Sequence, residues 1–194
     1  MRIILGSKSP RRQEIIKFFS IPHMVAFSPF DERTVHFQGD AGEYVRVIAE
    51  KKGEALVSEF PDEVIVTADT VVLLDGKILL KPEDDRDGKE MLTALSGTTH
   101  DVISGVAVRK GKRVKSSVET TRVHFNPLAE KEIAAYLKGM HGRDKAGGYG
   151  AQEMGSLLIK GIEGCFYNVI GLPVNTLRNL LGQFGIDLWD AFSS

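Results

Sequence analysis

Three carboxylates, Asp31, Glu32 and Asp69, and three cations, Arg12, Lys52 and Lys81, are the side chains of this chain best placed to do chemistry, at or beside the ends of expected elements. Hard carboxylate oxygens suit Mg²⁺ or Mn²⁺, ions that keep several waters and bridge to phosphate groups. The cations suit the phosphates themselves. A thiolate metal site is excluded, because Cys165 is the single cysteine. His23, His36, His100, His124 and His141 show no ligand spacing and read as surface or structural residues. Ser7 and Ser9 lack an evident paired base, which makes either a poor nucleophile. Neither a Walker P-loop nor a dinucleotide fingerprint is present.

The elements that must position these residues follow from local pattern. Ile3 to Leu5 reads as a buried strand, Gly6 to Ser9 as a turn, and the following stretch as a helix with Ile15, Ile16, Phe18 and Phe19 on one side. Ser9 is a natural N-cap and Pro10 a natural first helical residue. The turn would present free N–H groups at the positive end of a helix, with Lys8, Arg11 and Arg12 around it: either an anion site or an ordinary solvated helix start. Ala41 to about Glu59 is helical in period, and Lys52 extends its apolar face. That ammonium either snorkels to solvent or reaches an anion at the edge of the core.

Val64 to Leu74 is the strongest strand signal, β-branched and apolar on both faces, with Asp69 in its middle. A carboxylate inside a buried strand needs a partner, a hydrogen bond or a metal, whether its role is structural or functional. Asp75-Gly76 signals a hairpin that would return Lys81 toward Asp69. Further expectations are a helix over Glu83–Leu95, strands over Asp101–Val108 and Val114–Phe125, and a helix over Leu128–Leu137 begun by Asn126-Pro127. The order is mixed α/β, and its adjacent hairpins rule out an all-parallel sheet. Gly139 to Gly155 carries six glycines, with Lys145, Tyr149 and Gln152 interleaved. This is either a floppy surface loop or a close approach to a ligand, in which a cation, an aromatic ring and an amide read a base edge.

The 194 residues suit one domain spanning 1–194, or two tightly joined lobes. A formal net charge of -1 argues against long nucleic acid as the main partner, while a small phosphorylated ligand needs only a local basic site. Lys8, Arg11 and Arg12 interrupt any signal-peptide core, and no apolar run is long enough to span a bilayer. A soluble protein of a reducing cytoplasm is expected.

Many ordered pieces of the chain resemble the Maf family of nucleoside triphosphate pyrophosphatases. They are Ser-Lys-Ser-Pro-Arg-Arg-Gln-Glu (7–14), Asp31-Glu32, Tyr44-Val45 with Lys52, Ala68-Asp69-Thr70-Val71-Val72, and Lys81-Pro82. They continue with Met91-Leu92 through Leu95-Ser96-Gly97 to His100, then Asp144-Lys145-Ala146-Gly147, Tyr149, Gln152 and Asn168 to Pro173. The resemblance implies a long mixed twisted sheet flanked by helices, in two lobes with a central cleft, as in inosine-triphosphate pyrophosphatases (the Maf/Ham1 fold). It implies cleavage of a nucleoside triphosphate to monophosphate and pyrophosphate with a divalent metal, Mg or Mn. Asp69 would accept the proton of the attacking water and join Glu32 around the metal, while Ser7, Arg12, Lys52 and Lys81 bind phosphates. Arg12, Thr70 and Gln152 resemble the branch acting on dTTP and UTP, with modified pyrimidine triphosphates as further substrates. The alternatives are the same reaction on 7-methyl-GTP or CTP, or a nucleotide-binding regulator of septum formation. A homodimer is also implied. Among the departures, Gly6 replaces a usual alanine and reads as harmless, Val47 replaces a frequent basic residue, and Glu153 puts a carboxylate beside Gln152 where glycine is usual.

Overall fold

The computed structural model describes residues 2–139 and 145–190, so His141, Gly142 and Asp144 lie outside the described residues. Among the described residues the sheet has seven strands in the order β2-β1-β3-β5-β6-β7, with β4 paired to β3. Its strands are β1 (Ile3–Gly6), β2 (His23–Ala26), β3 (Val64–Leu74), β4 (Lys77–Leu79), β5 (Thr99–Lys110), β6 (Arg113–Phe125) and β7 (Ile159–Glu163). β1 runs parallel to β2 and β3, whereas β3–β4 and β6–β7 are antiparallel, so the sheet is mixed as the hairpin signals require. The helices are α1 (Pro10–Ile16), α2 (Ala41–Glu54), α3 (Asp85–Leu95), α4 (Glu130–Gly139), α5 (Phe166–Val169) and α6 (Val174–Gly182). None of them is long and apolar enough to cross a membrane among the described residues.

By internal contacts the chain forms two compact units. The first is Met1–Asp69 with Ser104–Glu119 and Gly171–Ser194; the second is Thr70–Ile103 with Thr120–Ile170. In the first unit, β1 is buried at all four residues because it has a parallel neighbour on each side, which is why Ile3 to Leu5 needs no polar face. The Asp40 side chain caps α2 by accepting the Glu43 N–H at 3.0 Å. The helix ends at Glu54 and not near Glu59. Its backbone tightens there to three-residue steps, Leu56 N–H to Gly53 O and Val57 N–H to Glu54 O. Leu56 and Phe60 thereby turn into a core with Ile4, Ala26 and Ile65. Gly6, read as harmless in place of alanine, occupies a tight place. A Cβ there would lie 2.6 Å from Thr67 Cγ2 and 2.7 Å from Leu56 Cδ1. Thr67 cannot swing away freely, since its hydroxyl donates to Ala49 O at 2.6 Å.

In the second unit the hairpin forms where Asp75-Gly76 marks it, with φ of 49° and 78° at those residues, as a type I′ turn requires. Its ladder pairs Val72 with Leu79 and stops there, before the exposed Lys81. α3 begins at Asp85 and not at Glu83, because Asp84 is the cap, accepting the Asp87 N–H at 2.8 Å. α4 also begins later than the Asn126-Pro127 pair suggests. The Asn126 side chain donates to Leu157 O at 3.0 Å instead of capping a helix, and the Leu128 N–H goes to Ser96 Oγ at 2.7 Å. The start is set by Glu132, whose carboxylate accepts the Ala129 N–H at 2.7 Å, half of a capping box. Val72, Leu92, Leu95, Val102, Val123, Phe125, Ile133, Tyr136, Tyr149 and Leu158 form this unit's core. Tyr149 is therefore not an exposed base-reading ring; it meets Phe125 and His100 edge-to-face in the interior.

Two outcomes follow from this packing. Gly6→Ala should lower the free energy of unfolding by about 1–3 kcal/mol, the usual cost of overpacking, seen as a fall in the urea midpoint. Burial pushes the His100 imidazole down from 6.5 to about 4. The unfolded chain thus binds this proton more readily, and the group's contribution is complete above about pH 6.5 and lost as the pH falls toward 4, by about 3 kcal/mol. Thermal unfolding of His100→Gln should show a flatter melting temperature across that window than the parent.

Candidate active site

On β3, Thr67 and Asp69 point to one face, and on α2 Ala49 and Lys52 are one turn apart; these two spacings bring the elements together. Thr67 Oγ1 bonds Ala49 O, and Lys52 Nζ reaches Asp69 Oδ1 at 2.8 Å. Lys52 lies on the buried stripe of α2 with Tyr44, Val45, Ile48 and Ala49, so of its two possible fates it takes the anion and not the snorkel. The same ammonium lies 2.8 Å from Glu32 Oε1 and 3.5 Å from Ala68 O. Glu32 arrives on a short 3₁₀ turn, Glu32–Thr34. Ser28 holds the approach to that turn, donating to Lys52 O at 2.9 Å and accepting the Phe30 N–H at 3.3 Å.

Asp31, the third candidate acid, does not join this group. Its carboxylate pairs bidentately with Arg33, at 2.9 and 3.0 Å, and these hydrogen bonds hold it below the usual carboxylate range. Arg12 does come close, through backbone: Nε donates to Gly171 O at 2.6 Å and Nη1 to Ala68 O at 2.9 Å. Burial lowers its guanidinium pKa, and the charges of Asp69 and Glu32 oppose that fall. The buried Ser7 ends the β1 turn, where its hydroxyl accepts the Ser9 N–H at 3.2 Å. Two N–H groups of the expected anion site are thus already occupied, since that of Ser7 donates to Leu5 O at 3.0 Å. Ser9 holds the N-cap position of α1 but makes no side-chain cap bond. Lys8 sits over the Phe27 ring, 5.9 Å from its centroid.

Tyr44, on the buried stripe of α2, is a further neighbour. Its phenol pKa is raised by burial and by the charges of Asp69 and Glu32, which keeps the hydroxyl protonated. The carbonyls of Ala68 and Gly171 were invisible in the sequence, since any residue carries one. The Ser-Pro pair at 28–29, a turn signal, was the one local hint of the Lys52 backbone tie. Thr70, Lys81 and Gln152, the other candidate site residues, belong to the second unit.

Among the described residues no set of three or more His, Cys, Asp and Glu side chains could hold a metal. The pair Glu32 and Asp69 still fits a divalent cation of the Mg²⁺ kind, which takes one or two carboxylates and completes its shell with water and phosphate oxygens. Both already converge on one positive charge, and Glu32 is half exposed.

The fold and this centre define a mixed α/β protein with a carboxylate–ammonium centre at the end of a strand–turn–helix start. The chain belongs to the Maf family, whose pattern, described as Maf-like protein, matches residues 2–184. It is 46% identical over 190 residues to the dTTP/UTP pyrophosphatase of Chlamydia caviae, covering 97% of each chain. It is 42% identical to the nucleoside triphosphate pyrophosphatase of Chlamydia muridarum, again over 97% of each. With the dTTP/UTP pyrophosphatase of Clostridium novyi it shares 39% identity over 97% of this chain and 100% of the relative. Among solved structures, the Staphylococcus aureus Ham1 protein aligns with 64% of this chain and 72% of its own, at 15% identity and a TM-score of 0.46.

Lys52→Met would keep the apolar stem and remove the charge that Asp69 faces. Urea unfolding should show a loss of about 3 kcal/mol, the cost of stranding one partner of a buried pair, and Lys52→Met/Asp69→Asn should recover part of it.

Proposed function

We propose that this chain hydrolyses dTTP and UTP to the monophosphate and pyrophosphate. The observation that carries the reading is Lys52 Nζ at 2.8 Å from both Glu32 and Asp69, in a chain whose full-length relatives are named for this activity. The Asp69 carboxylate takes the proton of the attacking water. The water oxygen bonds to the α phosphorus as the bond to the α,β-bridging oxygen breaks, and the electron pair leaves with pyrophosphate. Lys52 holds Asp69 Oδ1 in a fixed direction and offers positive charge to the phosphates, as preorganised electrostatic stabilisation requires. Ser7, Arg12 and Lys81 complete the phosphate contacts. A divalent cation carried by Glu32 and Asp69 would supply Lewis-acid charge to the phosphate oxygens. Gln152, whose side-chain amide can donate and accept together, is matched to the O4 and N3–H edge of thymine or uracil, and Thr70 contributes to the same preference.

Glu153 favours a second reading of the base alone. It is exposed and directly follows Gln152, and a carboxylate accepts from an exocyclic amine such as that of cytosine. Pyrophosphate release from a panel of nucleoside triphosphates with Mg²⁺ or Mn²⁺ tests both. Activity on dTTP and UTP is expected to dominate, and Asp69→Asn should lower kcat by about 10²–10⁴-fold, the range for a lost general base. Activity centred on a cytosine or purine triphosphate would replace the base assignment and keep the reaction. Unchanged turnover in Asp69→Asn would remove Asp69 from its role.

A further inference from the structure

The turn that carries Gln152 is held within its own unit by ties that no phosphate chemistry needs. Tyr149 Oη and His100 Nε2 are 2.6 Å apart, both side chains buried, with Phe125 packed edge-to-face against each ring. The next residue, Gly150, donates its N–H to Tyr136 Oη at 3.0 Å. Its carbonyl fits against Gly155 so closely that a Cβ on residue 155 would come within 1.5 Å of the oxygen. Gln152 lies between these two points, and its carbonyl accepts the Gly155 N–H at 3.0 Å. Glu153 then adopts φ of 53°, a left-handed conformation that a non-glycine residue keeps only when its surroundings impose it.

His100 is the informative member of this arrangement. Its Nδ1 is buried without a hydrogen-bond partner, a cost that a phenylalanine packed against Phe125 would avoid. The imidazole's polarity is used at one place, the Tyr149 hydroxyl. Upstream, Gly147 donates its N–H to Leu80 O at 3.0 Å, so the same turn also fixes the backbone beside Lys81. We propose that His100 and Tyr149 are positioning residues for Gln152, locking the turn from which its amide meets the nucleotide base. The inference rests on the reading above that Gln152 contacts the base. A base contact made alike in the bound substrate and in the transition state is uniform binding, so the pair should act on KM and leave kcat largely untouched.

Steady-state pyrophosphate release from dTTP by the full chain tests this. Tyr149→Phe should raise KM about fivefold, the worth of one hydrogen bond, with kcat within about twofold. In a Gln152→Ala background, itself raised in KM, Tyr149→Phe should add nothing. His100→Gln, which can still bond the phenol, should stay near the parent, while His100→Leu should match Tyr149→Phe; this pair decides the matter if Tyr149→Phe fails to fold. A KM rise that persists in the Gln152→Ala background overturns the proposal, as does a fall in kcat with KM unmoved, the mark of lost folded enzyme. If Gln152→Ala raises KM and neither Tyr149→Phe nor His100→Leu does, the positioning role falls alone. If Gln152→Ala leaves KM unchanged, the base contact itself falls and the positioning role with it.

Discussion

One ammonium between two carboxylates sets the demands on the first unit. Burying Lys52 is tolerable only because Asp69 and Glu32 arrive within 2.8 Å of it, and each comes from a different part of the chain. Asp69 requires β3 to be central; Glu32 requires the 28–34 turn to fold back over α2. The supporting contacts run to backbone carbonyls: Thr67 to Ala49 and Ser28 to Lys52 from neutral hydroxyls, and Arg12 to Ala68 from a guanidinium. The two hydroxyl bonds fix register without adding charge, while Arg12 brings a positive charge with its tie. The net balance of the three groups is negative, and Arg12 nearby offsets it at the cost of its own burial.

The second unit solves a different problem. It contains no comparable charge centre among the interactions described above, and its interior is a hydrophobic cluster with an aromatic trio. There, polar atoms serve geometry. Buried Asn168 donates to Val102 O at 2.9 Å and to Thr121 Oγ1 at 3.0 Å, and Thr121 in turn accepts the Cys165 N–H at 3.1 Å. These bonds join β5, β6 and the start of α5 where packing alone would permit sliding.

Local chemistry was readable from the residues wherever a single turn or period decides the outcome. The β3 run, the Asp75-Gly76 turn and the Lys52 stripe are of this kind, since steric and hydrophobic periodicity act over a few residues. Legibility failed where one residue had two competing uses. Asn126 looked like a cap, yet the Leu157 carbonyl claimed its amide. Tyr149, among glycines, looked exposed, yet the fold buries it against His100. Asp31 and Glu32 are adjacent acids in one loop, and only the neighbouring Arg33 decides which of them remains for the site. The tightness around Gly6 was unreadable because it depends on Thr67 and Leu56, which approach from distant positions.

Arg12 spans 159 residues to reach Gly171 O. During synthesis the opening strand, turn and helix leave the ribosome long before that carbonyl exists, by on the order of ten seconds at ordinary elongation rates. Through that interval the guanidinium lacks the Gly171 carbonyl that it later bonds. These early residues are thus among the last to be completed, and any truncation before Gly171 would remove a backbone acceptor that Arg12 uses.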